Sequence, residues 1–257
     1  MNETPGSKTD PEQRASAWAS PASRLKVSAT PSGAVNLNVD GRQLTGPIQG
    51  FGQMWQKTYS VRLSGARVSP SEVIRVWKAR FPEFWPKGNR MYPSLSGIAP
   101  GETALINANG PVNIPVISTG VMVIYADDVS FTFMTPEGHP FAGLITFSSY
   151  DEDNTTVAQV QVLIRANDPI YELGFRFGPG RRMEDVIWNH TMKTLASNFG
   201  VDAFVKQEVV LIDPKVQWSQ AKNIWRNAGI RTALYIFTSP VRWMRNLFKR
   251  QDTTIKA

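Results

Sequence analysis

Between Met183 and Phe199 apolar side chains return at a helical interval: Trp188, Met192, Leu195 and Phe199 stand at i, i+4, i+7 and i+11, one stripe of an amphipathic helix. Glu184 and Asp185 in the first turn suit the helix dipole, and Gly200 supplies a left-handed stop. So heavy a stripe needs a broad apolar surface against it, and the segments upstream offer one. Thr103 to Ala108, Val116 to Tyr125, Val129 to Met134, Phe141 to Tyr150 and Thr155 to Arg165 read as strands. Their connectors, at Asp127-Asp128, Thr135 to Pro140 and Asp151 to Asn154, are short enough to require antiparallel neighbours. Gly52 to Leu63 is a further strand, with Trp55, Tyr59, Val61 and Leu63 at mostly even spacing.

Ser69, Pro70 and Glu72 mark a helix start by an N-cap hydroxyl, a first-position proline and a capping box; Val73, Ile74, Val76, Trp77 and Phe81 form its buried face and Pro82 ends it. Asp168 and Pro169 predict a short helix to Phe177 with Ile170, Leu173 and Phe177 on one side, although Tyr171, Leu173, Phe175 and Phe177 also fit a strand. Val201 to Ile212 holds one more short strand. Asp213 and Pro214 then open a helix carrying Trp218, Ala221, Trp225 and Ala228 up to Gly229, and another begins near Ser239 and Pro240. Residues 1 to 33 carry too little apolar surface to repay ordering, and Ala34 to Leu44 reads as a short ribbon turning at Asp40-Gly41. The chain therefore divides into a mostly disordered arm (1–45), a globular domain (46–210) and a basic helical extension (211–257).

The absence of cysteine among the 257 residues excludes disulfides, thiolate catalysis and cysteine-ligated zinc. The N-terminal residues lack the apolar core of a secretory signal, so the expected location is cytoplasmic. Charge is unevenly spread. After Pro214 stand nine basic residues against Asp252 alone, a balance of +8, which leaves the rest of the chain at −1 of the total +7. Arguments about anionic partners therefore concern the tail.

The order of strand, helix, aromatic loop, strand meander and long closing helix resembles the helix-grip architecture of the START-like, polyketide cyclase-like superfamily, which includes pollen-allergen-like proteins and lipid-transfer domains. Thr135-Pro136-Glu137-Gly138-His139-Pro140 with Ala142-Gly143, the run Asp168 to Gly178, and Arg182 through Glu184-Asp185 to Trp188, Thr191 and Leu195 look like corresponding segments of a bacterial branch of it. The resemblance spans roughly residues 48 to 201. It implies an α+β fold, a curved antiparallel sheet gripped by the long helix, and an interior that holds a lipid, sterol or polyketide-like molecule.

The residues placed to line such an interior are Trp188, Met192 and Leu195 on the closing helix and Phe131, Phe133, Phe147 and Tyr150 on strands. The loop from Phe81 to Pro100 adds Trp85 and Tyr92, either as a plug of the core or as a lid over a pocket. Three functions remain open: a carrier or sensor of an apolar small molecule, a cyclase, dehydratase or hydrolase in the same cavity, and a scaffold with a filled core. The enzyme requires an inward acid or base, for which Tyr59, Tyr92, Glu137 and His139 are candidates, with Glu137 placed to orient His139. His190, about 200° around the helix from Trp188, faces away. Asp127-Asp128 and Asp151 to Asp153 lack the spacing of a calcium loop, and no phosphate loop, zinc helix or nucleophile elbow occurs, so no metal or cofactor is expected. Arg181 and Arg182 beside a helix start need no anion to explain them.

In the tail, Val241, Trp243, Met244, Leu247 and Phe248 fall on one helical side and Arg242, Arg245, Asn246, Lys249 and Arg250 on the other. This pattern suits a helix lying on an anionic membrane, at the inner face of the cell membrane, where each basic residue adds about 1 kcal/mol. The alternative is docking on the body or on a homodimer partner. No nucleic-acid module surrounds these residues, which sets nucleic acid aside as a partner.

Overall fold

The computed structural model describes residues 15–109, 115–178 and 180–239. Among the described residues nine strands form one antiparallel sheet: β1 (Leu44–Thr45), β2 (Met54–Arg62), β3 (Asn89–Tyr92), β4 (Thr103–Asn109), β5 (Pro115–Ala126), β6 (Ser130–Pro136), β7 (Phe141–Glu152), β8 (Thr155–Ala166) and β9 (Lys206–Asp213). Their order is β3-β4-β5-β6-β7-β8-β2-β9, with β1 pairing the end of β6. The meander from β3 to β8 follows from the short connectors; at the β7–β8 hairpin, Asp153 and Asn154 both adopt the positive φ that a tight two-residue turn needs. β2 then inserts between β8 and β9, which no local signal announces.

The helices are α1 (Pro70–Arg80), α2 (Pro169–Phe177), α3 (Gly180–Asn198) and α4 (Ala228–Phe237). Ser69 Oγ accepts from Glu72 N at the start of α1, but the capping box is half made, because the Glu72 carboxylate turns to Arg75. Asp168 caps α2 by accepting from Ile170 N and Tyr171 N. α3 ends at Asn198, and Gly200 takes the left-handed stop at φ +74°. Laid across the curved sheet, α3 completes the helix-grip architecture, an α+β fold.

Period-2 alternation sorts the sheet's two faces. Inward, Tyr59, Val61, Phe131, Phe147, Val160 and Val162 meet α1 and α3. Here the ring of Trp77 packs edge-on to Phe147 at 5.2 Å, and Phe131 stacks on Phe147 at 4.7 Å. Outward, Leu105 and Met122 are covered by Leu25 and Val39.

That outer cluster corrects the division of the chain. Residues 15 to 45 are not a loose arm: Ala19 N donates to Ile124 O, Leu25 and Val39 are buried, and Asn38 Nδ2 donates to Ser118 O at 2.8 Å. The segment after β9 also packs back. Its Trp218–Arg226 stretch is 3-10 rather than α-helical, and the chain breaks at Asn227, whose Oδ1 caps Ile230 N while Nδ2 donates to Asp168 Oδ2 at 2.8 Å. The expected helix end at Gly229 is thus the first turn of α4, which packs on β5 through Ser118 N donating to Thr232 Oγ1. Arg231 Nε donates to Asn38 Oδ1, so arm and extension meet over β5. Gly138 lets the extension approach: with φ +85° and the Arg226 carbonyl against it, its own carbonyl accepts from Ala228 N at 2.9 Å. The tail helix foreseen after Ser239, with Arg242, Trp243, Arg245, Leu247, Phe248 and Lys249, lies outside the described residues.

Asn227 is 2% exposed and serves both a helix cap and a buried carboxylate. Asn227→Ala is expected to lower the unfolding free energy by about 2 kcal/mol in urea titrations, one cap and one charge-assisted hydrogen bond being lost.

Candidate functional site

α1 and α3 fill only part of the inner face. Beyond them lies a cavity of about 450 Å³ walled by alternate residues of consecutive strands. These are Met91 from β3, Ile106 and Ala108 from β4, Ile117, Thr119 and Val121 from β5, Phe133 and Thr135 from β6, Ile145 from β7, and Val162 and Ile164 from β8. Ile170, Tyr171, Gly174 and Phe175 of α2 and Glu184, Ile187 and Trp188 of α3 close it, with Trp85 from the aromatic loop and His139 from the β6–β7 turn. The space is that of a small-molecule site and its wall is overwhelmingly apolar. A filled core, one of the expectations, is not what the chain builds.

Of the residues expected to line an interior, Trp188, Phe133 and Trp85 border the cavity. Met192, Leu195, Phe131 and Phe147 are buried in the core and do not border the cavity, the two phenylalanines lying against Trp77 of α1. Tyr150 corrects the expectation outright. It sits three residues from inward Phe147, so strand parity turns it to the other face, where it is 39% exposed and its hydroxyl meets Gln159. Tyr92 likewise alternates outward from Met91 and donates to Gly33 O.

α2 forms as a helix but shows the unexpected side. Tyr171 and Phe175 turn inward, Phe175 stacking on Phe141 at 4.4 Å, while Leu173 and Phe177 are exposed and Ile170, partly exposed, sits at the cavity's edge. Trp218 and Trp225 nearby are 74% and 84% exposed, so most of the apolar face predicted for the extension looks outward, although Ala228 at its end is buried.

The cavity's polar end comes from residues the strand and helix patterns passed over. Lys57 lies in phase with Trp55, Tyr59 and Val61 on the inward face of β2, and Glu184 lies one turn before Trp188 on the stripe of α3. Lys57 Nζ donates to Glu184 Oε2 at 2.7 Å and to Asp185 Oδ1 at 2.9 Å; the Tyr59 hydroxyl donates to the same Asp185 oxygen at 2.6 Å. Burial pushes the Glu184 carboxyl up from its ordinary range, with the Lys57 charge opposing the shift. Burial, and then the negative charge of Glu184, push the Tyr59 hydroxyl up so that it stays protonated. The signal was in the sequence: a lysine and a glutamate each at a buried phase require a partner. A smaller crevice with Gln53, Trp55, Lys57, Arg165, Glu172 and Arg176 adjoins; Phe141, Ile164, Phe175 and Glu184 border both spaces.

His139 reaches the cavity wall, but Glu137 does not orient it. Glu137 pairs with Arg226, and the His139 Nδ1 lies 3.0 Å from Phe141 N. Tyr59 and Tyr92 are engaged elsewhere, as described, and His190 is exposed on α3. An inward acid or base is present all the same, in Glu184 and His139. Asp127 accepts from Val129 N and Ser130 N as a turn cap, and Asp151 accepts from Thr156 Oγ1. Among the described residues no three metal-ligating side chains come together.

No protein-family model matches the chain, and no curated protein matches it. Among solved structures it is similar to the di-domain ARO/CYC StfQ from the steffimycin biosynthetic pathway, at 11% identity and TM-score 0.42 over 57% of this chain and 51% of that one. The chain thus spans about half the length of StfQ. It is also similar to XoxI from Bacillus cereus, at 14% identity and TM-score 0.39 over 56% and 94% of the two chains. Ara h 8.0201 matches at 11% identity and TM-score 0.40 over 57% and 97%. The fold assignment rests on the sheet order and the gripping helix.

Burial holds the His139 imidazole at a pKa of about 4, against 6.5 for the free side chain. The unfolded chain therefore binds the extra proton between those values, and stability falls as pH drops through that window. Glu184 and Asp168, both raised by burial, contribute with the opposite sign. Compared with His139→Gln in urea titrations across the window, the native protein is expected to lose on the order of 2 kcal/mol more.

Proposed function

We propose that the protein binds an apolar small molecule, of lipid, sterol or polyketide-like size, in the cavity between α2, α3 and the sheet. One observation carries this reading: about 450 Å³ of space, walled by side chains such as Ile106, Ile117, Val121, Phe133 and Val162, remains beside a core that is otherwise closely packed. An apolar void of this size is costly to keep empty and has few polar contacts to offer water, whereas an apolar ligand restores the missing packing. Native mass spectrometry and lipid extraction of the purified protein are expected to reveal a bound molecule or uptake of a fluorescent lipid analogue. Ala108→Phe, which adds bulk to the wall, should weaken uptake at least about fivefold. A protein that emerges empty and takes up no analogue would sink the reading.

A second reading, in which the ligand is exchanged at an anionic membrane, is favoured by the outward face of α2. Leu173 and Phe177 stand exposed on the helix whose other face closes the cavity, and Phe177 is 78% exposed. Trp218, Trp225 and the basic residues after Pro214 follow on the adjoining extension. No helix among the described residues is long and apolar enough to cross a membrane, so the contact is interfacial. In flotation with anionic vesicles, Leu173→Glu with Phe177→Glu is expected to lower the bound fraction by more than about half, and truncation after Thr238 to lower it further. Unchanged flotation would remove α2 from the contact, and loss of a dimer on truncation would assign the tail to a second copy instead.

A further inference from the structure

We infer that the free edge of β9 is a docking surface for a second copy of this chain, the two β9 strands pairing antiparallel about a two-fold axis at Val210.

The two ends of the sheet are built differently. β3 closes one end with four residues, bounded by Pro86 and Pro93 and carrying the exposed Arg90. Short length, proline and charge are the usual protections of an edge whose main-chain groups have no neighbour. β9 closes the other end with eight residues and no proline. Its pairing with β2 runs unbroken from Trp55–Leu211 to Ser60–Lys206, and the one shift in register lies beyond, between Met54 and Trp55. The middle of the strand is Val209-Val210-Leu211-Ile212, four aliphatic side chains between 40% and 49% exposed. Among the described residues β2 is the only strand that pairs with it. A regular row of outward N–H and C=O groups is thus flanked by apolar side chains.

Strand parity selects the kind of partner. Val209 and Leu211 stand opposite Lys57 and Trp55, on the face that α3 grips, whereas Val210 stands opposite Gln56 on the other face. α3 reaches as far as Lys57 and Tyr59 through Asp185 and leaves Val209 and Leu211 half-exposed. A helix or a membrane surface laid on one face would leave the aliphatic side chains of the other in water. A strand added in the plane of the sheet covers both faces and satisfies the main-chain row as well.

The sequence of β9 then matches itself. With the axis at Val210, that residue lies across from the partner's Val210, and Val209 lies across from the partner's Leu211, so aliphatic meets aliphatic on both faces. Glu208 and the partner's Glu208 stand two positions to either side of the axis, each held by its own Lys206 at 2.7 Å, so no like charges come opposite. Phe204, 86% exposed just before the strand, adds apolar surface at both ends. The paired edges bury about 1,000 Å² in all, the lower limit of a specific interface, which makes the dimer reversible. Because the β3 edge is protected, the assembly closes at two copies, and both cavities open on the same side of one continuous sheet.

Sedimentation velocity of the full chain over a dilution series is expected to show a dimer with a Kd of about 10 μM. Val210→Lys sets two charges against each other at the axis and should raise that Kd at least about tenfold with the far-UV spectrum unchanged. The chain has no cysteine, so Val210→Cys is expected to cross-link to its own copy under mild oxidation, while Val186→Cys, also exposed but on α3, does not. The cysteine pair carries the test if the lysine variant fails to fold. Truncation after Thr238 should leave the dimer intact. A monomer at about 100 μM, a dimer indifferent to Val210→Lys, or equal cross-linking at the two cysteine positions overturns the inference. So does a dimer lost on truncation, which assigns contact to the tail, or one that appears only on truncation, which makes the tail the occupant of its own β9 edge.

Discussion

One helix cannot cover a sheet this wide. The eight strands of the main path, spaced about 4.8 Å apart, make an inner face roughly 34 Å across, whereas a helix with its side chains is about 10 Å in diameter. α3 therefore shares the face with two other helices. α1 and the turn that follows it bring Trp77 and Phe81 down onto Phe131 and Phe147. α2 bridges the remainder from above, and because it is short and keeps half its apolar side chains outward, it roofs the space without filling it. The cavity is the geometric remainder of a curved sheet covered by three cylinders.

Charge settles where the remainder has polarity. Desolvation would make Lys57 and Glu184 individually prohibitive inside this core, so each is tolerable only because β2 and α3 bring them within 2.7 Å. The pair ties the first turns of α3 to the middle of β2, and Tyr59 completes the tie through Asp185. The same contact leaves a carboxylate facing both the apolar cavity and the charged crevice, so a structural anchor and the cavity's polar end are one group of atoms.

The sheet's outer face has a parallel problem and a different solution. Leu105 and Met122 would be exposed, and the chain covers them with residues before β1, then locks that cover with α4 through Asn38, Ser118 and Thr232. A segment poor in apolar residues orders because Leu25 and Val39 dock on an existing surface and because its polar side chains find partners from the far end of the sequence. Polar composition alone misjudged it.

The elements themselves were legible in the sequence. Helical spacing placed α3, the Ser69 and Asp168 caps placed α1 and α2, and alternation with short turns placed β4 to β8, because each of these depends on side chains within a few residues of one another. Antiparallel pairing followed from connector length, and the α+β helix-grip class from the resemblance. What only the tertiary structure decided is which faces meet. The insertion of β2 between β8 and β9, the outward turn of Leu173 and Phe177, and the docking of the first segment all depend on surfaces more than a hundred residues apart in places. For the same reason Phe131 and Phe147 read as pocket residues when α1 in fact covers them, and Glu184 read as a first-turn acid suited to the helix dipole, with Lys57 not singled out, when each is the other's reason for being buried. Periodicity says that a side chain points inward; it takes the packed chain to say whether the inside it meets is a neighbour or an empty space.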